Sequence, residues 1–218
     1  MKFYTISIIL IVLSFSSYSQ NKSSQSKHYI LSEFSSGSIL MKDGTKQIGV
    51  LNYNALSENF ALKKGEEILA LSQSVITNLD TVYVANRKFF RKDGKFYEFL
   101  LKSDIELYVE YKCKLSSSTE ASGGYGGTSQ TTSGISLSSI ENEGNLYDIE
   151  LPEGYNVSLD IEYWVKKDEV LTKITTVNQF KKVYKENKKD IKSYRKKNKV
   201  DFKTPSTVLK LVEYLEGL

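Results

Sequence analysis

The sequence predicts a mainly β (α+β) fold: an antiparallel β-sandwich or partly open barrel with a C-terminal helical hairpin. Three observations carry this expectation. Asp43-Gly44 and Asp93-Gly94 each punctuate apolar runs, and Asp-Gly tolerates the positive φ that tight hairpin turns require. Two later segments alternate apolar and polar residues with period two, the signature of a half-buried strand. Beyond Thr175 the apolar spacing becomes helical. No helix-period segment separates the strands, which disfavours a parallel α/β sheet. At 218 residues, with 40% hydrophobic and 26% charged, the chain can bury a core without metal or disulfide staples.

The elements follow in order. Lys2 precedes an apolar run from Ile6 to Phe15, and Ser17-Tyr18-Ser19 supplies small residues at the positions a signal peptidase reads. This predicts a signal peptide over residues 1–19, cut before Gln20. The run is too short for a membrane-spanning helix, which needs about 20 residues. No Cys follows it for lipid attachment, so no transmembrane segment or lipid anchor is expected after cleavage.

Residues 20–174 read as one β-rich domain. Asp43-Gly44 joins Ser38–Lys42 to Lys46–Asn54, and Asp93-Gly94 joins Thr81–Arg91 to Lys95–Leu101. In Ile105 to Leu115 the odd positions are apolar, including Cys113, while Glu106, Tyr108, Glu110, Lys112 and Lys114 take the other face. Leu159, Ile161, Tyr163 and Val165 alternate likewise with Asp160, Glu162, Trp164 and Lys166. Each should be an antiparallel strand with a wet outer face. Between them, Ser116–Ser139 holds nine Ser, five Gly and four Thr among 24 residues, too little apolar surface to offset its ordering entropy. A flexible loop over 116–139 is expected. Strand signals resume at Leu146–Leu151, and Leu159–Val165 with Val170–Ile174 reads as a closing hairpin.

Residues 175–218 read as a helical hairpin packed on the sheet. Val177, Phe180, Tyr184, Ile191 and Tyr194 form one apolar stripe, with Thr175, Thr176 or Asn178 as cap. Thr204-Pro205 opens a second helix. Val208, Leu211, Val212 and Leu215 line it, and Gly217 suits its end.

Charge is strongly polarised. Removing Lys2 lowers the net charge from +4 to +3. Lys181 to Lys203 contains eleven basic and three acidic residues, a balance of +8 that leaves −5 elsewhere. Lys188, Lys189, Lys192, Arg195, Lys196 and Lys197 are its densest part. One reading is the solvated face of an amphipathic helix. Another is attraction to an anionic surface or an acidic envelope partner. Nucleic acid is not expected, because the chain is exported and shows no nucleic-acid-reading motif.

Catalytic signatures do not emerge. One His (His28) and one Cys (Cys113) cannot build a His/Cys metal cluster, and His28 near the mature terminus reads as a surface residue. Cys113 reads as an inert buried thiol. Ser122–Thr128 is glycine-rich but lacks the Lys-Ser/Thr and helix start of a phosphate loop. Glu141, Glu143, Asp148, Glu150 and Glu153 lack calcium-loop spacing. Paired carboxylates for glycoside chemistry are a spatial property, and nothing singles out a pair. No catalytic residue, metal or cofactor is therefore assigned. Tyr108 and Trp164 lie on the polar faces of their strands, where rings either pack across strands or offer a stacking surface. An outer-membrane barrel is disfavoured by the charged outer faces and helical tail.

The stretch Gly37–Gly44 (Gly-Ser-Ile-Leu-Met-Lys-Asp-Gly), continued by Gly49 to Asn54, resembles exported proteins of Bacteroidota. Phe180, the Lys-rich helix, Asn198–Phe202 and the short helix ending near Tyr214 are similar to that group too. The resemblance carries no catalytic signature. It implies that Asp80-Thr81-Val82 matches the O-glycan acceptor pattern of those bacteria, with Thr81 as acceptor. The expected function is an exported, periplasmic or extracellular, non-enzymatic envelope protein, one option being peripheral to the outer membrane. It would bind a protein partner or anionic surface. The alternatives are a carbohydrate-binding or carbohydrate-processing protein and a purely structural component.

Overall fold

The structure is a computed structural model that describes residues 28–117 and 155–217. The expected signal peptide, most of the Ser/Gly/Thr segment, the strand signal at 146–151 and the acidic cluster from Glu141 to Glu153 lie outside those residues.

Among the described residues ten strands form one antiparallel sheet: β1 (Ser35–Met41), β2 (Lys46–Asn54), β3 (Asn59–Lys64), β4 (Glu67–Ala70), β5 (Leu79–Val84), β6 (Arg87–Lys92), β7 (Lys95–Lys102), β8 (Glu106–Ser117), β9 (Tyr155–Lys167) and β10 (Val170–Ile174). Their spatial order is β10-β9-β8-β7-β6-β5-β1-β2-β3-β4. The expected mainly β fold with a C-terminal helical element is present, built from one open sheet that bends over itself. Phe60 of β3 packs edge-on against Phe89 of β6 and Phe96 of β7, each at 5.2 Å. The Tyr53 hydroxyl of β2 donates to the Tyr111 carbonyl of β8 at 3.4 Å. The first strands therefore cover the core face of the middle ones.

Gly37 and Gly49 sit opposite each other in the β1–β2 register. A Cβ on Gly37 would lie 2.5 Å from the Tyr83 carbonyl oxygen, and one on Gly49 would lie 2.5 Å from Leu62 Cδ1. Glycine is thus required where the backbone and a side chain of the adjacent strands β5 and β3 approach closely.

Both Asp-Gly turns join paired strands as expected, and Leu159–Val165 with Val170–Ile174 is the last hairpin. Three boundaries differ from expectation. Thr81–Arg91 is two strands, because Ala85 (φ 49°) and Asn86 (φ 60°) make a tight turn between β5 and β6. Ser116 and Ser117 belong to β8, and β9 begins at Tyr155, so the β8–β9 ladder runs for twelve pairs. The first helical stripe is broken in two.

The helices among the described residues are α1 (Gln73–Asn78), α2 (Val177–Val183), α3 (Lys188–Lys197) and α4 (Pro205–Glu216). Thr176 caps α2 through a reciprocal bond with Gln179. Tyr184 leaves the helix (φ −98°, ψ 63°) and turns its hydroxyl to Glu216 at 2.9 Å. Seven residues separate Tyr184 from Ile191, two helical turns, so the stripe keeps its phase across a break that periodicity cannot detect. The hairpin of α3 and α4 is as expected, closed by Tyr194 against Tyr214 at 4.9 Å and ended by Gly217 at φ 73°.

Phe180, Ile191, Val208, Leu211 and Val212 join the same core as Leu107, Tyr163 and Ile174 of the sheet. Tyr163 of β9 anchors the contact: its ring meets Phe202 and its hydroxyl donates to the Phe202 carbonyl at 2.9 Å. Among the described residues, no helix is long and apolar enough to cross a membrane.

Candidate functional site

Alternation in β8 and β9 sends Leu107, Val109, Tyr163 and Val165 into the core and turns Tyr108, Glu110, Glu162 and Trp164 to the other face. Register makes Tyr108 and Trp164 direct cross-strand partners. The two rings singled out in the sequence therefore meet. Phe90 of β6 and Tyr97 of β7, also partners, complete an aromatic notch that sequence reading did not identify. Phe90 lies against Tyr97 at 5.8 Å and Tyr108 at 5.1 Å, while Tyr97 meets Trp164 edge-on at 6.2 Å. These rings and Leu171 surround a cavity of about 90 Å³ bordered by Lys92, Glu106 and Lys166.

Beneath the rings is an ionic network. Glu110 and Glu162 oppose each other in register, an arrangement that alone would be destabilising. Three lysines offset it. Lys112 lies 2.7 Å from Glu110 and 3.4 Å from Glu162, Lys95 lies 2.9 Å from Glu110, and Lys173 lies 2.6 Å from Glu162. The indole Nε1–H of Trp164 donates to Glu110 Oε2 at 3.0 Å, fixing the ring. Glu110 Oε1 is held by the two ammonium groups in ionic contact without hydrogen-bond alignment. Glu110 is only 1% exposed, so this part of the expected wet face is buried. The chain covers it with neighbouring rings and lysine stems.

Proton affinities follow these contacts. Burial pushes Glu162 up, but Lys173 and Lys112 outweigh it and hold its pKa below the ordinary carboxylate value. Burial likewise opposes the Lys112 ammonium, yet Glu110 and Glu162 raise its pKa. The Tyr108 hydroxyl donates to Glu106, which lowers the Glu106 pKa, while burial and that carboxylate raise Tyr108. All of these groups keep their ordinary charge at neutral pH, so the network is a scaffold for the rings.

The opposite face carries a second ionic cluster. Arg87 grips Glu98 through two bonds of 2.7 Å and donates to the Tyr111 hydroxyl at 2.8 Å. Tyr111 in turn donates to Glu98. These residues sit against Tyr53 and Phe89 within the core, a structural role.

The other candidates are dispersed. Lys188, Lys189, Lys192, Arg195, Lys196 and Lys197 are exposed on α3, well separated in sequence from the notch. Thr81 is buried in β5, with its hydroxyl donating to Asp80 at 2.8 Å. His28 is buried rather than exposed, with the Tyr29 ring tilted against it at 4.8 Å. Cys113 is half-buried, and burial, reinforced by Glu58 and Asp160, pushes its thiol up to about 12. It stays protonated and unreactive at neutral pH. No cluster of His, Cys, Asp and Glu among the described residues is arranged to hold a metal ion. Compared with known proteins, the chain matches no family model, no curated protein and no solved structure.

Proposed function

We propose that this chain is an exported, non-enzymatic protein that docks on an anionic surface of the cell envelope through its C-terminal helices. The carrying observation is a contrast in how cations are used. On the sheet, Arg87, Lys95, Lys112 and Lys173 are held by carboxylates within 3 Å. From Lys181 to Lys203 none of the eleven cations has an ion-pair partner among the described residues.

Ile191 of α3 is buried in the core, so this helix has no free apolar face to insert into lipid. Docking is therefore electrostatic and peripheral. Each Lys or Arg near an anionic lipid surface contributes about 1 kcal/mol, falling off within a Debye length of about 8 Å at physiological salt. The six cations Lys188, Lys189, Lys192, Arg195, Lys196 and Lys197 supply enough for salt-reversible attachment.

The test is co-sedimentation with vesicles containing phosphatidylglycerol, at low and high salt. Binding should fall steeply as salt rises, and replacement of Lys188, Lys189, Arg195, Lys196 and Lys197 by Gln should reduce it at least tenfold. Binding that ignores both salt and these substitutions refutes the reading. Salt-sensitive capture of an acidic envelope protein, with no vesicle binding, would replace lipid by a partner.

A further inference from the structure

We infer that the solvent face of β5 to β9 binds an extended glycan chain laid across the strands. This rests on the register of the sheet and is independent of the basic helices. Tyr83 of β5 pairs with Lys88 of β6, Lys88 with Phe99 of β7, Phe99 with Tyr108 of β8, Tyr108 with Trp164 of β9, and Trp164 with Lys173 of β10. Cross-strand partners share a face, so these six side chains form one row perpendicular to the strands. From Tyr83 to Trp164 the row crosses four interstrand steps, about 19 Å at 4.8 Å each.

The row is an aromatic ladder with cationic brackets. Phe99 and Tyr108 meet at 5.9 Å, the Lys88 ammonium lies 5.5 Å over Phe99, and that of Lys173 lies 6.0 Å from Trp164. The rings stay open to solvent: Phe99, Tyr108 and Trp164 are half-buried, and Tyr83 is 42% exposed. Two are locked by their polar edges, Trp164 to Glu110 and Tyr108 to Glu106. A fixed platform spares the ordering cost of binding.

The chemistry around the rings selects the occupant. A sugar ring presents an apolar face and a rim of hydroxyls that both donate and accept. The notch beside the row offers ring faces below, with the ammonium groups of Lys92 and Lys166 and the carboxylate of Glu106 at its border, so donors and acceptors are both supplied. Lys166 is already paired with Glu169 and Lys173 with Glu162, so the face offers no continuous cationic strip for a polyanion such as nucleic acid. A protein interface would seat flat contacts on a flat patch, whereas this face has a ring-sized cavity along a linear track.

Trp164 is the chain's one tryptophan, so its emission reports on the site without labelling. The full-length mature chain is titrated with hexasaccharides and disaccharides of β-1,4-linked glucose, N-acetylglucosamine and xylose, with heparin as a polyanion. At least one hexasaccharide should shift Trp164 emission saturably and bind at least tenfold tighter than its disaccharide. Tyr83→Ala, four strands from the reporter and exposed, should weaken that hexasaccharide about tenfold and leave the disaccharide unchanged. Phe99→Ala should do the same, with circular dichroism and the urea midpoint confirming that both variants fold. Absence of a saturable response to all three hexasaccharides overturns the inference. So does equal affinity for long and short chains, or full binding in a folded Tyr83→Ala variant. A response to heparin alone assigns the surface to charge and overturns it too.

Discussion

Lys112 bridges two opposed carboxylates, and replacing it by Met removes that bridge with little change in bulk. Glu110, 1% exposed, has three groups on its carboxylate: Lys112 at 2.7 Å, Lys95 at 2.9 Å and the Trp164 N–H at 3.0 Å. Glu162 has Lys173 at 2.6 Å and Lys112 at 3.4 Å. Breaking a buried ion pair from one side costs about 3–5 kcal/mol. Two contacts remain on Glu110 and one on Glu162, so the expected loss is about 2–3 kcal/mol, roughly 30- to 150-fold in the folding equilibrium. Urea unfolding followed by Trp164 emission and by circular dichroism measures it. Adding Glu110→Gln should recover at least about 1 kcal/mol relative to the sum of the single changes. The pH dependence has a definite sign. Glu162 has a lowered folded pKa, so its contribution is present above the ordinary carboxylate value of 4.5 and is lost as pH falls through the folded value. The Lys112→Met penalty should be full at pH 7 and shrink by pH 3. A loss below about 0.5 kcal/mol, or strict additivity with Glu110→Gln, would mean that the cluster behaves as a solvated surface group.

Two further outcomes follow from single residues. Burial raises the Glu58 pKa, with Glu110 and Glu162 adding to it and Lys112 and Lys95 opposing. Ionised Glu58 therefore costs stability above the ordinary carboxylate pKa. Glu58→Gln should raise the urea midpoint at pH 7 and leave it unchanged at pH 3, and equal midpoints at both pH values would refute the burial argument. Gly37→Ala places a Cβ 2.5 Å from the Tyr83 carbonyl oxygen and 3.1 Å from Leu51 and Val84. It should destabilise by about 3 kcal/mol, the upper end for overpacking; a loss under 1 kcal/mol would show that the β1–β5 contact relaxes freely.

Much of the sheet is written in local pattern. Asp-Gly pairs mark two hairpins because they suit positive φ, and strict alternation assigns each side chain of β8 and β9 to its face. Ala85-Asn86 escapes notice because Ala is an unusual residue for a left-handed turn, and only the pairing of β5 with β6 demands it. The aromatic notch is legible in half. Tyr108 and Trp164 stand out as rings among charges, whereas Phe90 and Tyr97 sit in the dense runs Phe89-Phe90 and Phe96-Tyr97, where core and surface rings look alike. Alternation also places Glu110 and Glu162 on the outer face without revealing their burial, since that depends on lysines and rings from three neighbouring strands.

Neighbouring residues of β9 look in opposite directions: Tyr163 toward Phe202 and the helices, Trp164 toward the ladder. The sheet is thus a partition, with the helices packed on one side and the aromatic ladder on the other. Were the helical cap to rest on a membrane, the ladder would face outward, one helix layer and one sheet away, about 20 Å. A polymer strand lying across β5 to β9 would be held at that standoff by a rigid spacer, with no hinge or closure needed. In that arrangement the fold works as a bracket, joining a surface to a chain that never touches it.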